Sequence, residues 1–317
     1  IRVGNDGRKR SVTLPGIGAV CVHDDTRRLR RMLVKGRAKI LFATVSHHAG
    51  RWWVALNVEA ADLHPAHFHV ARAADDHRGW VGVDRGLSAF LGAATAVGDE
   101  VARIADAPRA LTTGMRQQRH LAKKLSRKKE RSHNRRQAAA RLARHHNRSA
   151  NIRRHFLHRV SNELVKTHDR LVIEDLNVAG MLRNHRLALA ISDAAWSEFA
   201  RQLRYKAQWR AGHVVVADRY YPSSQICSRC RTRNYQLTLA DRMFRCPCGH
   251  SGDRDLNAAI NLAHWAQNHA HPEPRTPKHG GRVTKARRRD GADRHPTRVG
   301  ETSPKDAGTD VHPAPAV

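Results

Sequence analysis

The chain has 317 residues, of which 58 are Lys or Arg and 28 are Asp or Glu, so its formal net charge at pH 7 is +30. Such an excess repels itself unless a polyanion neutralises it, and nucleic acid is the usual polyanionic partner. The sequence has no run of about 18 apolar residues and opens on no signal-peptide pattern, so we expect nucleic acid rather than a membrane as the partner. Anionic membrane surfaces are disfavoured, because the basic residues are not confined to one amphipathic helix.

Residues 1–77 are expected to form a small β-rich domain. Short β-branched or aromatic runs alternate there with Gly, Asp or His clusters, as in a small barrel or sheet; these runs are Val12–Leu14, Ile17–Val22, Ile40–Val45 and Trp52–Val58. The basic run Arg27–Arg31 between them is expected to be solvated, either facing nucleic acid or simply exposed. The sequence begins at Ile1 without a Met, so we expect a fragment that lacks an N-terminal piece.

Residues 112–168 show a helical and strongly basic pattern. Apolar residues recur there at every fourth position from Ile152 to Leu164, which predicts one face on a core and a basic face outside. The basic face is expected to contact phosphates, with a merely solvated helical hairpin as the alternative. The candidate contacts are Arg116, Arg119, Lys123, Lys124, Arg127, Lys128, Arg135 and Arg136.

The remaining elements alternate between short apolar runs and helical segments. Leu171–Ile173 predicts a buried strand, and a helix around 196–211 leads to a strand at Val214–Val216. A last helix starts near Asp255. Residues 271–317 are rich in Pro, Gly, His, Arg and Asp without periodicity, so we expect a disordered basic tail.

Four of the five cysteines fall in residues 221–250. Cys227 and Cys230 are separated by two residues, Cys246 and Cys248 by one, and 15 residues lie between the pairs. Two such pairs on a hairpin predict a four-thiolate, structural zinc site in a reducing compartment, with no open position for catalysis. The alternatives are a metal-free hairpin, or His250 as a substitute if the short second pair cannot reach the metal. The fifth, Cys21, is expected to be a small buried apolar residue.

Three acids occupy unusual contexts. Asp84 ends the apolar run Trp80–Val83, Glu174 ends Leu171–Ile173, and Asp255 opens the last helix. Carboxylates at strand ends of one sheet can converge in space, and converging carboxylates repel one another unless cations lie between them. Mg²⁺ prefers such ligands and can promote phosphodiester hydrolysis. Taken singly, however, Asp84 could close a turn and Asp255 could cap a helix.

Four motifs in the chain resemble those of the TnpB (OrfB) family of transposon-encoded proteins, relatives of the type V CRISPR effectors. Val81–Leu87 resembles the first RuvC-type motif, Leu171–Asn177 the second, Tyr221–Cys230 the start of the zinc ribbon, and Asp253–Leu262 the third motif. The resemblance covers residues 10–265 in the family's order. It implies that Asp84, Glu174 and Asp255 are the catalytic acids and bind Mg²⁺ or Mn²⁺, rather than the adjacent Asp253.

The resemblance also implies an architecture and an activity. The expected fold is α/β, with an RNase H-like (RuvC) core at 78–220, an N-terminal β-barrel-like wedge segment at 1–77, an inserted zinc ribbon at 221–250 and the third motif's helix at 251–270. The implied function is RNA-guided cleavage of double-stranded DNA, with a guide RNA made from the transposon end. We therefore expect a location in the bacterial cytoplasm at the nucleoid.

Two departures from the family leave other functions open. Little of this sequence could supply the helical segment that the family inserts in its wedge domain, and the second cysteine pair is one residue short. A truncated relative that binds RNA or DNA without cutting is one alternative. A transposase that joins DNA strands with the same metal chemistry is another, because carboxylate spacing does not separate joining from cutting.

Overall fold

The structure is a computed structural model that describes residues 1–5, 8–61, 65–73, 75–238 and 240–270. These residues form two compact units. The amino-terminal unit comprises residues 1–65 and 128–144, and the sheet unit comprises residues 66–127 and 145–270. The tail predicted at 271–317 lies outside the described residues.

The amino-terminal unit contains five strands in two antiparallel sheets. Strands β1 to β3 form one sheet in sequence order, and β4 pairs with β5 in a long hairpin. Val12 and Leu14 are buried and share a core with Ile40, Val54 and Leu56 of the hairpin. The bounds of these strands are β1 Arg2–Asn5, β2 Arg8–Leu14, β3 Gly18–Cys21, β4 Ala38–His48 and β5 Arg51–Ala60.

The basic run Arg27–Arg31, which was expected to be solvated and either facing nucleic acid or simply exposed, lies in a helix, α1, at Arg27–Val34. Leu29 and Leu33 lie four residues apart on one face of it and pack on the core of the amino-terminal unit, while Arg27, Arg28 and Arg31 are solvent-exposed or nearly so. The sequence prediction missed the helix because it treated the run as charge alone and did not count its two leucines. Cys21, which was expected to be buried, is exposed at the end of β3.

The sheet unit is built on a five-stranded mixed sheet in the order β10-β9-β6-β7-β8. Strands β6, β9 and β10 are parallel, whereas β7 and β8 continue from β6 as an antiparallel meander. The expected α/β class is therefore confirmed for this unit. The strand bounds are β6 Trp80–Asp84, β7 Leu91–Thr95, β8 Glu100–Ile104, β9 Arg170–Ile173 and β10 His213–Val216, and a small hairpin follows with β11 Met243–Arg245 and β12 Ser251–Asp253.

Helices cover both faces of this sheet. The predicted basic hairpin is present as two helices, although Ile152 is 41% exposed and only the later members of its four-residue series, Phe156, Val160 and Leu164, are buried. The helix bounds are α2 Ala110–Ser126, α3 His133–Thr167, α4 Val178–Met181, α5 Ala188–Ala194, α6 Trp196–Trp209 and α7 Arg254–His269.

Side chains of the strands alternate between the two faces of the sheet, and each face has its own hydrophobic core. In β6, Val81 and Val83 belong to a core formed with α3 and α6, whereas Trp80 belongs to a second core with Leu262 and Ala266 of α7. Successive side chains of a strand point to opposite faces. Gly82 and Asp84 therefore share the α7 face with Trp80, and this alternation positions the site.

Candidate functional site

Asp84 and Glu174 lie side by side at one edge of the sheet. Strands β6 and β9 are parallel and in register, with Val83 paired to Ile173, so that the two acids follow at neighbouring strand ends. In β9, Leu171 and Ile173 face the α3 and α6 core and Val172 faces α7. By the same alternation Glu174 points to the α7 face, and both carboxylates are on one side of the sheet.

Helix α7 brings the third acid, Asp255, to the same place. Its buried face, Ala259, Leu262, Ala263 and Ala266, crosses the sheet, and Asp255 lies one turn before Ala259 on that face. Gly92 of β7 pairs with Asp84, and a Cβ atom added to it would lie 3.8 Å from the backbone oxygen of Asp255. The three acids from distant parts of the sequence therefore converge.

The convergence changes the acidity of Asp84. Burial raises the pKa of its carboxyl well above the ordinary value, and the negative charges of Glu174 and Asp255 raise it further. The guanidinium groups of Arg254 and Arg85 oppose this shift. Such a cluster of carboxylates is unfavourable by itself and becomes favourable when a cation is shared between them, so the donor chemistry of these residues suits a divalent cation.

Neighbouring side chains fix the orientation of the acids. Ser223 is buried and its Oγ donates a hydrogen bond of 2.7 Å to Glu174 Oε1. Arg85, 6% exposed, donates to the backbone oxygens of Glu174 and Trp196. Arg254 lies 3.5 Å from Asp255 Oδ1. None of these three residues was a candidate from the sequence, although each lies inside one of the four motifs.

The acids adjacent to the candidate residues have other partners. Asp253 is the N-cap of α7, accepting a hydrogen bond from the Leu256 amide, and it also pairs with Arg103 at 3.1 Å. Asp175 pairs with Arg219 at 2.6 Å. Because Asp253 caps the helix, the capping role considered for Asp255 is already filled.

The four cysteines predicted as zinc ligands lie together. All four sulfur atoms are within 4.8 Å of one another, with 3.7 Å between Cys227 and Cys248 and 3.5 Å between Cys230 and Cys246. Zn–S bonds of about 2.3 Å in a tetrahedron place sulfur atoms about 3.8 Å apart. The short second pair therefore does reach the cluster, which could hold a metal ion.

His250, the alternative ligand, and Arg231, which follows Cys230, make other contacts. His250 Nε2 lies 3.3 Å from Ser228 Oγ and is not one of the four clustered ligands. Arg231 has φ of +67°, a left-handed conformation that glycine adopts most easily. Its Nη1 donates a hydrogen bond of 2.9 Å to Asn261 Oδ1.

Two asparagines of α7, the helix that carries Asp255, form hydrogen bonds to the loop that carries Cys227. Asn257 donates to the backbone oxygen of Ile226 and accepts from the Ser228 amide. Asn261, fully buried, donates to the backbone oxygens of Ser223 and Ile226. The signal was present in the sequence, because polar residues four apart on an otherwise apolar helix face require buried partners.

We expect Asn261→Ala to destabilise the protein by about 3 kcal/mol, because the Ser223 carbonyl and the Arg231 Nη1 lose their partner and the Ile226 carbonyl keeps only its bond from Asn257. Urea unfolding, followed by circular dichroism, measures the change. Asn268→Ala, at an exposed position of the same helix, serves as the control and should change the free energy of unfolding by less than about 0.5 kcal/mol. Equal stability of the two variants would contradict the connecting role.

The predicted phosphate contacts are largely exposed in both units. In the sheet unit, Arg116, Arg119, Lys123, Lys124 and Arg127 are exposed on α2 or directly after it. In the amino-terminal unit, Lys128 and Arg136 are exposed, whereas Arg135 is half-buried and its Nη1 donates to the Lys128 backbone oxygen. Their role in binding stays a prediction.

Within the described residues, no helix combines the length and the apolar character needed to cross a membrane. Among solved structures, the chain is similar to the Cas12f1 protein in a complex with sgRNA and target DNA, at 14% identity and a TM-score of 0.43, over 69% of this chain and 55% of that one.

Comparison with known sequences identifies the family. A family model described as "Probable transposase" matches residues 67–185, and one described as "Cas12f1-like, TNB domain" matches residues 196–262. Relatives named as candidate RNA-guided DNA endonucleases are 36% identical in Mycobacterium tuberculosis, 37% in Streptomyces pristinaespiralis and 30% in Escherichia coli; the matches cover 82%, 74% and 69% of this chain. The chain spans 56%, 55% and 55% of their lengths, a little over half. On these matches, the chain belongs to the TnpB/OrfB family.

Proposed function

We propose that this chain carries the nuclease centre of an RNA-guided DNA endonuclease of a transposable element. The observation that carries the proposal is the convergence of Asp84, Glu174 and Asp255 on one face of a sheet, in a chain whose relatives are named as RNA-guided DNA endonucleases. The strand order, with three parallel strands and an antiparallel meander, supports an RNase H-like core. The shared core of the two amino-terminal sheets supports a barrel-like wedge domain.

In this proposal the three carboxylates hold Mg²⁺ or Mn²⁺. The chemistry that such ions would supply is activation of a water molecule and stabilisation of the leaving oxygen of a phosphodiester. Ser223 keeps Glu174 oriented and the Arg85 side chain ties the Glu174 backbone to Trp196, so that the acids are held before substrate arrives. The exposed basic residues of α2 would neutralise phosphates along the bound strand.

The experiment is to purify the chain with the RNA that accompanies it, to sequence that RNA, and to offer matching double-stranded DNA. We expect RNA from the transposon end and free-ended DNA products that form only with Mg²⁺ or Mn²⁺. Salt-sensitive binding without a metal-dependent product would instead indicate a nucleic-acid-binding protein. Joined strands in place of free ends would indicate a transposase.

We propose that the four cysteines bind one structural zinc ion, because their sulfur atoms are spaced as in a tetrahedral thiolate site. Elemental analysis of purified protein should find one zinc ion per chain, and Cys248→Ser should reduce this by at least about half. Structural zinc contributes about 10 kcal/mol or more to the folding of small zinc domains, so chelation should also lower the melting temperature. Cys21→Ser, at an exposed cysteine outside the cluster, should keep the full zinc content. A zinc-free chain of normal stability would show that the hairpin folds without metal.

A further inference from the structure

A cavity of about 280 Å³ opens in the sheet unit beside the loop that follows Asp84. Gly86 of this loop lines the cavity, and a Cβ atom added to Gly86 would lie 4.0 Å from Asp255 Oδ2. The loop therefore joins the cavity, whose lining includes residues of the α3 and α6 core, to the carboxylates on the α7 face at the end of β6. Pockets for small molecules usually measure about 300–1,000 Å³, so this cavity has room for a single planar ring system and not for a base pair.

The floor of the cavity is apolar and aromatic. Phe90 and Phe156 are 3% and 7% exposed, and their rings meet edge to face at 5.0 Å between centroids. Leu87 and Leu189, both half-buried, form part of the wall. Because these rings are almost fully buried, a base in the cavity would lie against their edges and against the aliphatic wall rather than stack on an aromatic face.

The rim of the cavity is positively charged. Arg109 and Arg186 are exposed there, and Arg153 is half-buried with its Nη1 bonded to the Ser192 backbone oxygen and its buried Nε without a hydrogen-bond partner among the described residues. Asp193 also lines the cavity, but its carboxylate is engaged: it accepts hydrogen bonds from the amides of residues 111 and 112 at the start of α2 and from the Thr112 hydroxyl. The rim is therefore suited to an anion.

We propose that this cavity binds one unpaired nucleotide of the DNA strand that reaches the three carboxylates. The base enters the apolar floor, and Arg109 and Arg186 bind the adjoining phosphate. An unpaired base is required because a paired one does not fit, and an isolated phosphate would leave the aromatic floor unfilled. The cavity would thus hold the DNA strand next to the scissile bond. This inference rests on the proposed nuclease function.

Photocrosslinking of the full chain tests this proposal. The probe is a short single-stranded oligothymidine with one photoreactive halogenated uracil, used without divalent cations so that no cleavage occurs. We expect crosslinks to peptides that contain Phe90 or Phe156. Ala190→Trp, which fills the cavity, should reduce crosslinking at least about tenfold, whereas Leu187→Trp, on an exposed position of the preceding turn, should not.

A second variant keeps the test decisive if Ala190→Trp fails to fold. Arg109→Gln combined with Arg186→Gln changes only exposed side chains, and it should weaken crosslinking at the same peptides about tenfold and reduce the salt dependence of binding. Crosslinks outside the cavity, or crosslinks unaffected by both variants, overturn the proposal. Crosslinks obtained only with the ribose form of the probe overturn the assignment to DNA.

The outcome is separable from that of the nuclease proposal. Asp84→Asn protein should crosslink normally because Asp84 does not line the cavity. A chain that crosslinks at the cavity but never cuts DNA would sink the nuclease proposal alone. A chain that cuts DNA without crosslinking there would sink the cavity proposal alone.

Discussion

We expect Asp84→Asn to slow metal-dependent DNA cleavage at least about a thousandfold. The variant keeps the size of the side chain but removes one of the three charges proposed to hold the cations. Cations in such sites supply several kcal/mol of transition-state stabilisation, and about 1.4 kcal/mol corresponds to a factor of ten. Cleavage of DNA by the RNA-loaded protein, followed over time in Mg²⁺, measures the effect.

Asp175→Asn is the matched control. Asp175 follows Glu174 directly, but it forms a half-exposed ion pair with Arg219 and not part of the carboxylate cluster. Loss of such a pair costs at most about 1 kcal/mol, and we expect cleavage within about threefold of the unaltered protein. The assignment of the site fails if Asp84→Asn cleaves like the unaltered protein, or if Asp175→Asn is equally impaired.

Although Asp84→Asn should impair cleavage, we expect it to stabilise the folded protein when divalent cations are absent. The pKa of Asp84 is raised in the folded protein, so between its unfolded and folded pKa values the folded state binds more protons. The free energy of unfolding therefore falls as pH rises through this window. Asp84→Asn removes that loss, and its melting temperature at neutral pH should exceed that of the unaltered protein.

Added Mg²⁺ should reverse this order. A ligand that binds only the folded state raises its stability by RT ln(1 + [L]/Kd), and the unaltered protein has the complete cluster. Thermal unfolding with and without Mg²⁺ measures both effects without any RNA or DNA. A Mg²⁺-induced rise that is the same in both proteins would place the cation elsewhere.

The convergence of the acids could be predicted from the sequence because two of them end short apolar runs. An apolar run of four residues predicts a buried strand, and parallel strands bring their carboxyl ends to one edge. Choosing Glu174 over Asp175 and Asp255 over Asp253 was not possible from spacing alone and depended on the family resemblance. The structure supplies a physical distinction, because Asp175 and Asp253 are engaged by Arg219 and Arg103.

Other features depend on contacts between distant residues and had no local signal. The hydrogen bond from Ser223 to Glu174 joins positions 49 residues apart, and the cavity joins α2, α3 and α5 to the loop after β6. Whether both Cys246 and Cys248 can join the cysteine cluster depends on backbone geometry that sequence spacing does not specify. Helix α1 was missed for a different reason, because the two leucines that mark its buried face are visible in the sequence and were not considered.

Gly82 is packed against its neighbours more closely than Gly92, the glycine of the adjacent strand β7. It lies on the face of β6 that α7 covers, and a Cβ atom added to it would be 1.9 Å from the backbone oxygen of Ala259 and 2.7 Å from the backbone nitrogen of Ala263. Both atoms belong to the helix backbone, so no side-chain rotation can relieve the overlap. Nonbonded carbon contacts are favourable near about 3.5 Å, and the helix would have to move by more than about 1 Å.

We therefore expect Gly82→Ala to lower the free energy of unfolding by about 3 kcal/mol, the upper range for an overpacked core. It should also slow cleavage about a hundredfold in protein that remains folded, because Asp255 moves with α7 and displacements of about 1 Å at a catalytic group have effects of this size. Urea unfolding and the cleavage assay at a temperature well below the melting point measure the two effects separately.

Gly92→Ala on the neighbouring strand distinguishes close packing from a general intolerance of alanine in this sheet. A Cβ atom on Gly92 meets its nearest neighbours at 3.8 and 3.9 Å, which is ordinary contact distance. We expect this control to change the free energy of unfolding by less than about 1 kcal/mol. Equal stability of the two variants would show that α7 does not rest on β6 at Gly82. The position of Asp255 would then need another cause, because the approach of α7 to β6 is what joins the third acid to the two at the strand ends.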